Sequence, residues 1–125
     1  MRTSKIVAMA LVLAPFLVGA PTSAHHSFAM FDMQKKVTLQ GAVVRFKWTN
    51  PHSWLELDVA GKTGTDRWAI EMTSPNNLAL EGWKRTTVKP GDKVVLIVHP
   101  LRDGGKGGSF VGVRLPDGST LGDVK

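Results

Sequence analysis

Apolar residues recur at every second position through three successive stretches of this chain, and the period changes at Ser74-Pro75. A period of two belongs to a strand with one buried face; a helix needs spacings of three and four. Val37 and Leu39, then Val44, Phe46 and Trp48, mark the first strand, with a shift of parity around Gly41. Glycine at a parity shift predicts a β-bulge, where the strand bends and resets its inward face. Leu55, Leu57 and Val59 mark a second strand and Trp68, Ile70 and Met72 a third, separated by the turn Gly61-Lys62-Thr63-Gly64. Parity turns Trp48 inward. It turns Trp54, Glu56, Asp58 and Glu71 outward.

At Ser74 the period changes. A serine cap followed by proline predicts a short helix, with Leu78, Leu80 and Trp83 as its apolar stripe and Gly82 at its stop. Lys89-Pro90-Gly91-Asp92 reads as a type II turn, with glycine supplying positive φ. Val94 to Val98 is continuously apolar and predicts a fourth strand buried on both faces. Leu101 to Ser109 carries Gly104, Gly105, Gly107 and Gly108 and reads as a flexible loop. Phe110 to Leu115 is the fifth strand, and the tail to Lys125 reads as loosely held. Three strands, a short helix and two more strands predict an all-β fold, a small five-stranded OB-like barrel over residues 37–125. The competing arrangement is a small open β-sandwich.

The first residues predict a location. Arg2 and Lys5 precede an apolar run from Ile6 to Val18, and small residues follow at Thr22 and Ala24. This is the pattern of a secretory signal peptide, residues 1–24, with an apolar run too short to span a bilayer comfortably. The expected mature protein starts at His25, has no stable membrane anchor and is periplasmic or secreted. Residues 25–36 read as an extended N-terminal arm whose aromatics should dock on the domain. The formal net charge of +6 includes Arg2 and Lys5, which leave with the signal. The remaining basic residues are scattered, and export argues against nucleic acid as a partner. The chain has no cysteine, which excludes disulfides, thiolate metal sites and a cysteine nucleophile.

In an OB barrel the loops between strands 1 and 2 and between strands 4 and 5 share one surface. Here those loops are Trp48-Thr49-Asn50-Pro51-His52-Ser53-Trp54 and His99-Pro100-Leu101-Arg102-Asp103, and each pairs a histidine with a proline. Cleavage after Ala24 would expose the amine and imidazole of His25, a chelating pair, with His26 beside it. Cleavage after Ala20 would remove that chelate. His52 and His99 could complete a nitrogen site for Cu(II), Ni(II) or Zn(II), with copper favoured by intrinsic affinity. The metal-free alternative is a module that binds a small ligand or an envelope protein through Asn50, Trp54, Arg102 and Asp103. No nucleophile–base motif marks an enzyme.

The string Ala24-His25-His26-Ser27-Phe28, the Trp-Thr-Asn-Pro-His turn, Ser74-Pro75-Asn76, Gly82-Trp83, Lys89-Pro90-Gly91-Asp92 and His99-Pro100-Leu101-Arg102-Asp103-Gly104 together resemble the DUF6152 family of exported bacterial proteins. The resemblance covers nearly the whole mature chain and implies no activity, because that family is one of unknown function. A weaker, fold-level similarity is to periplasmic OB-fold proteins such as the copper chaperone CusF. Residue types match that protein's histidine, methionine and tryptophan site, but its motif does not, so no site residue carries over.

Overall fold

The computed structural model describes the backbone from His26 to Lys125 and the side chains from Phe28 onward. The expected signal peptide and His25 lie outside the described residues, as does the side chain of His26. The elements run α1 (His26–Ala29), β1 (Val37–Lys47), β2 (Trp54–Gly61), β3 (Gly64–Glu71), α2 (Pro75–Leu80), β4 (Lys93–Pro100), β5 (Gly107–Arg114) and β6 (Thr120–Gly122).

Long β1 serves two neighbours. Val37 to Ala42 pairs with β4, and Gly41 to Lys47 pairs with β2, both antiparallel. β2 then pairs with β3 and β4 with β5. β3 meets β5 in parallel from Ala69–Gly107 to Glu71–Ser109, which closes a five-stranded barrel with α2 between its third and fourth strands. This is the OB-like arrangement that the element order predicts. Leu55, Leu57, Ile70, Leu96, Val98 and Val113 fill the interior and expose no surface. Each such side chain contributes about 1.5–3 kcal/mol by leaving water.

Helix α2 plugs one end of the core, as expected. Ser74 Oγ accepts from Asn77 N–H at 3.3 Å, and Pro75 occupies the first turn. Gly82 N–H donates to Ala79 and Trp83 N–H to Leu78, with Gly82 at φ 92°, which is a Schellman stop. Leu78 and Trp83 are buried, but Leu80 is 88% exposed. Residues two apart lie about 200° apart around a helix, so Leu80 cannot share the inward stripe. Gly91 has the positive φ, 91°, that its turn requires.

Four further expectations are corrected. The bulge in β1 falls at Val44, where the register passes from Val43↔Leu57 to Arg45↔Glu56, and not at Gly41. Gly41 answers a different demand: a Cβ there would stand 2.5 Å from the Asp58 carbonyl oxygen. β4 alternates buried and half-buried residues, because an antiparallel barrel wall has no second layer over its outer face. Gly107 and Gly108 are buried members of β5 that close the barrel, so the glycine-rich loop is shorter than its composition implies. The tail is tied down: β6 pairs with β5, Leu121 packs on the core, and Lys36 Nζ meets Asp123 Oδ2 at 2.8 Å. A three-residue strand is too short to show a period.

Two measurements check this packing. Trp83 is 2% exposed, and its Nε1–H finds no acceptor among the described residues. Trp83→Ala should lower unfolding free energy by about 3–5 kcal/mol, from lost burial and a cavity. Trp83→Phe should cost about 1–2 kcal/mol, because it also removes an unpaired donor. Denaturant titration reads both; a Trp83→Phe cost above about 3 kcal/mol would show that the indole N–H is satisfied. Glu56 bridges Lys47 Nζ at 3.0 Å and Arg45 Nη2 at 3.1 Å. Lys47 first, then Arg45, hold its carboxyl below the ordinary 4.5 against the opposing pull of burial. A lowered pKa stabilises the fold above the unfolded carboxylate value, and that stabilisation is lost as pH falls through the folded value. Glu56→Gln should therefore cost about 0.5 kcal/mol at neutral pH, and the difference from the native chain should vanish on acidification.

Candidate functional site

The turn between β1 and β2 is built from its own polar groups. Thr49 Oγ1 donates to the His52 carbonyl at 2.9 Å, and Ser53 Oγ donates to Thr49 O at 3.4 Å. Ser53 is fully buried and continues the β2–β3 ladder past its end, exchanging backbone bonds with Thr73 and Met72. The Asn50–Pro51 peptide is cis, and Asn50 is exposed at the tip. Trp48 packs against the core, edge-to-face on Phe46 at 5.7 Å. Trp54 is half-buried on the other parity, paired across the sheet with Lys47 and Glu71.

The loop after β4 holds the arm. The arm begins as the single helical turn α1 rather than fully extended, then bridges Phe31 to Leu101. Arg102 N–H donates to the Met30 carbonyl at 2.9 Å, and Arg102 Nε to the Ala29 carbonyl at 3.1 Å. Asp32 N–H donates to the Pro100 carbonyl at 2.8 Å, and His99 Nδ1 lies 2.7 Å from the Lys35 carbonyl. Asp103 accepts from Gly105 N–H at 2.8 Å and shapes its own turn. Phe31 is 4% exposed. Arg102 and His99 therefore face the arm.

His52 and His99 are held by different segments. His52 Nδ1 lies 3.1 Å from the Met72 carbonyl and 3.3 Å from Glu71 Oε1. Both partners are acceptors, so this nitrogen carries the proton. No group of three or more His, Cys, Asp or Glu side chains among the described residues could hold a metal ion. The amine and imidazole proposed for copper, on His25 and His26, lie outside them.

His52 does open on a cleft of about 430 Å³. Phe28 and Phe31 of the arm, Met72, and Phe110 and Val111 of β5 supply its apolar lining. Glu71, Thr73, Ser109 and Glu81 supply polar groups. Val111 is the extra residue of a β5 bulge, where Val98↔Phe110 is followed by Ile97↔Gly112. A larger depression of about 670 Å³ runs over the outer barrel face beside Gln40, Ala42, Lys93 and Arg114. It is shallow, and its one acid, Asp58, is already paired with Arg67. The smaller cleft is better enclosed and combines apolar walls with convergent polar groups, the usual character of a ligand site.

A model of a family described as of unknown function, DUF6152, matches residues 14–110. The chain belongs to this family. No curated protein matches it. Among solved structures, the mitochondrial single-stranded DNA binding protein Rim1 of S. cerevisiae is similar, with 13% identity and a TM-score of 0.48, over 65% of this chain and 93% of that one. Binding of single-stranded DNA is a property of that protein, and a likeness at this level transfers no partner.

For this DUF6152 member, sequence reasoning found His52 and missed the groups around it. Glu71 reads correctly as an outward strand residue, but its cleft position depends on where β3 meets β5. Glu81 caps α2, and Ser109 falls in the glycine-rich stretch that reads as a loop, so neither carries a period. The arm aromatics were the usable signal. Arg102→Ala tests the arm's anchorage. It deletes the bond to Ala29 and leaves the backbone bond to Met30. Loss of one such bond, worth about 0.5–1.5 kcal/mol, should speed amide exchange at Asp32 by about 2–12-fold. Unchanged exchange would show that the backbone bonds alone hold the arm.

Proposed function

We propose that this protein is an exported binding module that takes a small molecule in the arm-capped cleft. The cleft itself carries the reading. It draws its walls from the arm, the β1–β2 turn, the end of β3, the cap of α2 and β5. Its volume, about 430 Å³, lies in the range of small-molecule sites. OB-like barrels serve widely as binding scaffolds. The β4–β5 loop, expected to share the binding surface, lies under the arm, which moves the site toward His52 and Phe110. Export rests on the leader pattern of the first 24 residues.

A fragment screen by ¹H–¹⁵N NMR tests the site. At least one fragment should shift the amides of His52, Thr73, Ser109 and Phe110 together. Ser109→Trp, which fills the cleft, should abolish those shifts. Shifts confined to the outer face near Gln40 and Lys93 would overturn the assignment. Cell fractionation with mass spectrometry of the amino terminus tests export: envelope protein beginning at His25 is expected, and full-length protein retained in the cytoplasm would refute it.

A further inference from the structure

The charges of this chain are distributed unevenly, and the exception lies in the cleft. All ten carboxylates fall among the described residues. Six are paired with lysine or arginine: Asp32, Glu56, Asp58, Asp66, Asp92 and Asp123. Two, Asp103 and Asp117, accept from backbone N–H groups of their own turns. The remaining two are Glu71 and Glu81, and both line the cleft. Neither has a lysine or arginine within ion-pair distance among the described residues. Among the described residues the charged-group contact of Glu71 is to His52 Nδ1 at 3.3 Å, a neutral donor unless the imidazole is protonated, and the Glu71 side chain is 12% exposed. A chain with an excess of basic residues thus leaves two carboxylates at this cleft without a lysine or arginine partner among the described residues, half-buried Glu71 and exposed Glu81.

The walls suit the same kind of ligand. Phe31 and Phe110 present aromatic surface beside the carboxylates, and Phe28, 63% exposed, stands at the mouth. A cation over an aromatic face gains about 0.5–2 kcal/mol, more where water is excluded. Ser109 and Thr73 add hydroxyl acceptors for an ammonium proton. An anion would meet both carboxylates with no cation to offset them. A neutral molecule would leave Glu71 as it is now, largely buried and without a full positive partner, which is the costlier state for a carboxylate.

From this we infer that the cleft recognises an organic cation, an ammonium group on an apolar or aromatic body, with Glu71 as counter-ion and Glu81 as the rim charge. The inference rests on the cleft being the binding site. Three probes of one shape separate the two claims: 2-phenylethylammonium, neutral 2-phenylethanol and anionic 3-phenylpropionate, each titrated into the intact chain by ¹H–¹⁵N NMR. The ammonium should shift the amides of His52, Met72 and Ser109 and bind about tenfold tighter than the alcohol, a difference of about 1.4 kcal/mol. Glu71→Gln should erase that preference and leave alcohol binding unchanged. Glu81→Gln, at the exposed rim, should weaken the ammonium by about two- to threefold. Added salt should weaken the ammonium only. Alcohol or propionate binding as tightly as ammonium overturns the cation assignment while the cleft stands. Absence of cleft shifts from every probe up to about 10 mM, a free energy under about 3 kcal/mol, overturns both. If Glu71→Gln fails to fold, the rim variant and the salt dependence still decide.

Discussion

The structure depends on one strand serving two ladders at once. Gly41 and Ala42 of β1 face Val59 and Asp58 on one side and Val94 and Lys93 on the other. A strand can do this only by bending, and bending brings its backbone close to a neighbour. The Asp58 carbonyl occupies the space that a Cβ on residue 41 would need. Glycine at this position removes the obstruction, and the extra residue Val44 resets the inward face so that Phe46 and Trp48 still reach the core. Without the bend β1 could not join β4 to β2, and the five strands would remain an open sheet.

The same steric logic explains where sequence reading succeeded and where it failed. Alternation made β1, β2, β3 and the fold class legible, because one buried face leaves a period of two in the residues. The serine cap and Gly82 made α2 legible, because helix ends need particular hydrogen bonds. Glycine was ambiguous. At Gly91 it supplies positive φ, as its turn context indicates. At Gly108 a Cβ would crowd the His99 carbonyl, and at Gly112 it would collide with the backbone of Asp123. These glycines read as loop or as unremarkable strand, yet they admit a close-packed neighbour. Close approach is a property of two segments, and a single segment carries no sign of it. The tail strand β6 was hidden for the same reason, since its partner surface exists only once β5 is in place.

The candidate site was legible in part. The turn that carries His52 stood out by its flanking indoles and its Asn-Pro signal, and in the structure it borders the cleft. The second expected loop contacts the arm: Arg102, Pro100 and His99 hold its backbone. Phe31 is buried where Phe28 is exposed, and the arm that carries them is fixed by backbone bonds to the β4–β5 loop. Paired histidine–proline motifs looked equivalent in sequence. In space one faces a cavity and the other a carbonyl of the arm.

The cleft follows from how the barrel closes. The parallel ladder between β3 and β5 has three pairs and ends at Glu71–Ser109. Beyond that pair β3 turns away through Thr73 into α2, while β5 bulges at Val111 and passes to β6. Two strands that part after a short contact leave a gap, and the last pair of the ladder stands at its edge. Ser53, locked to Thr73 and Met72, brings His52 to the same edge. Closure alone would leave an open notch. The arm covers it, and Phe31 turns it into a cavity with an apolar wall. Glu71 is thus carried to low exposure by the topology, where a lysine opposite would have been the simplest compensation. The chain pairs six other carboxylates in that way, whereas the contact of Glu71 at the cleft edge is the imidazole of His52.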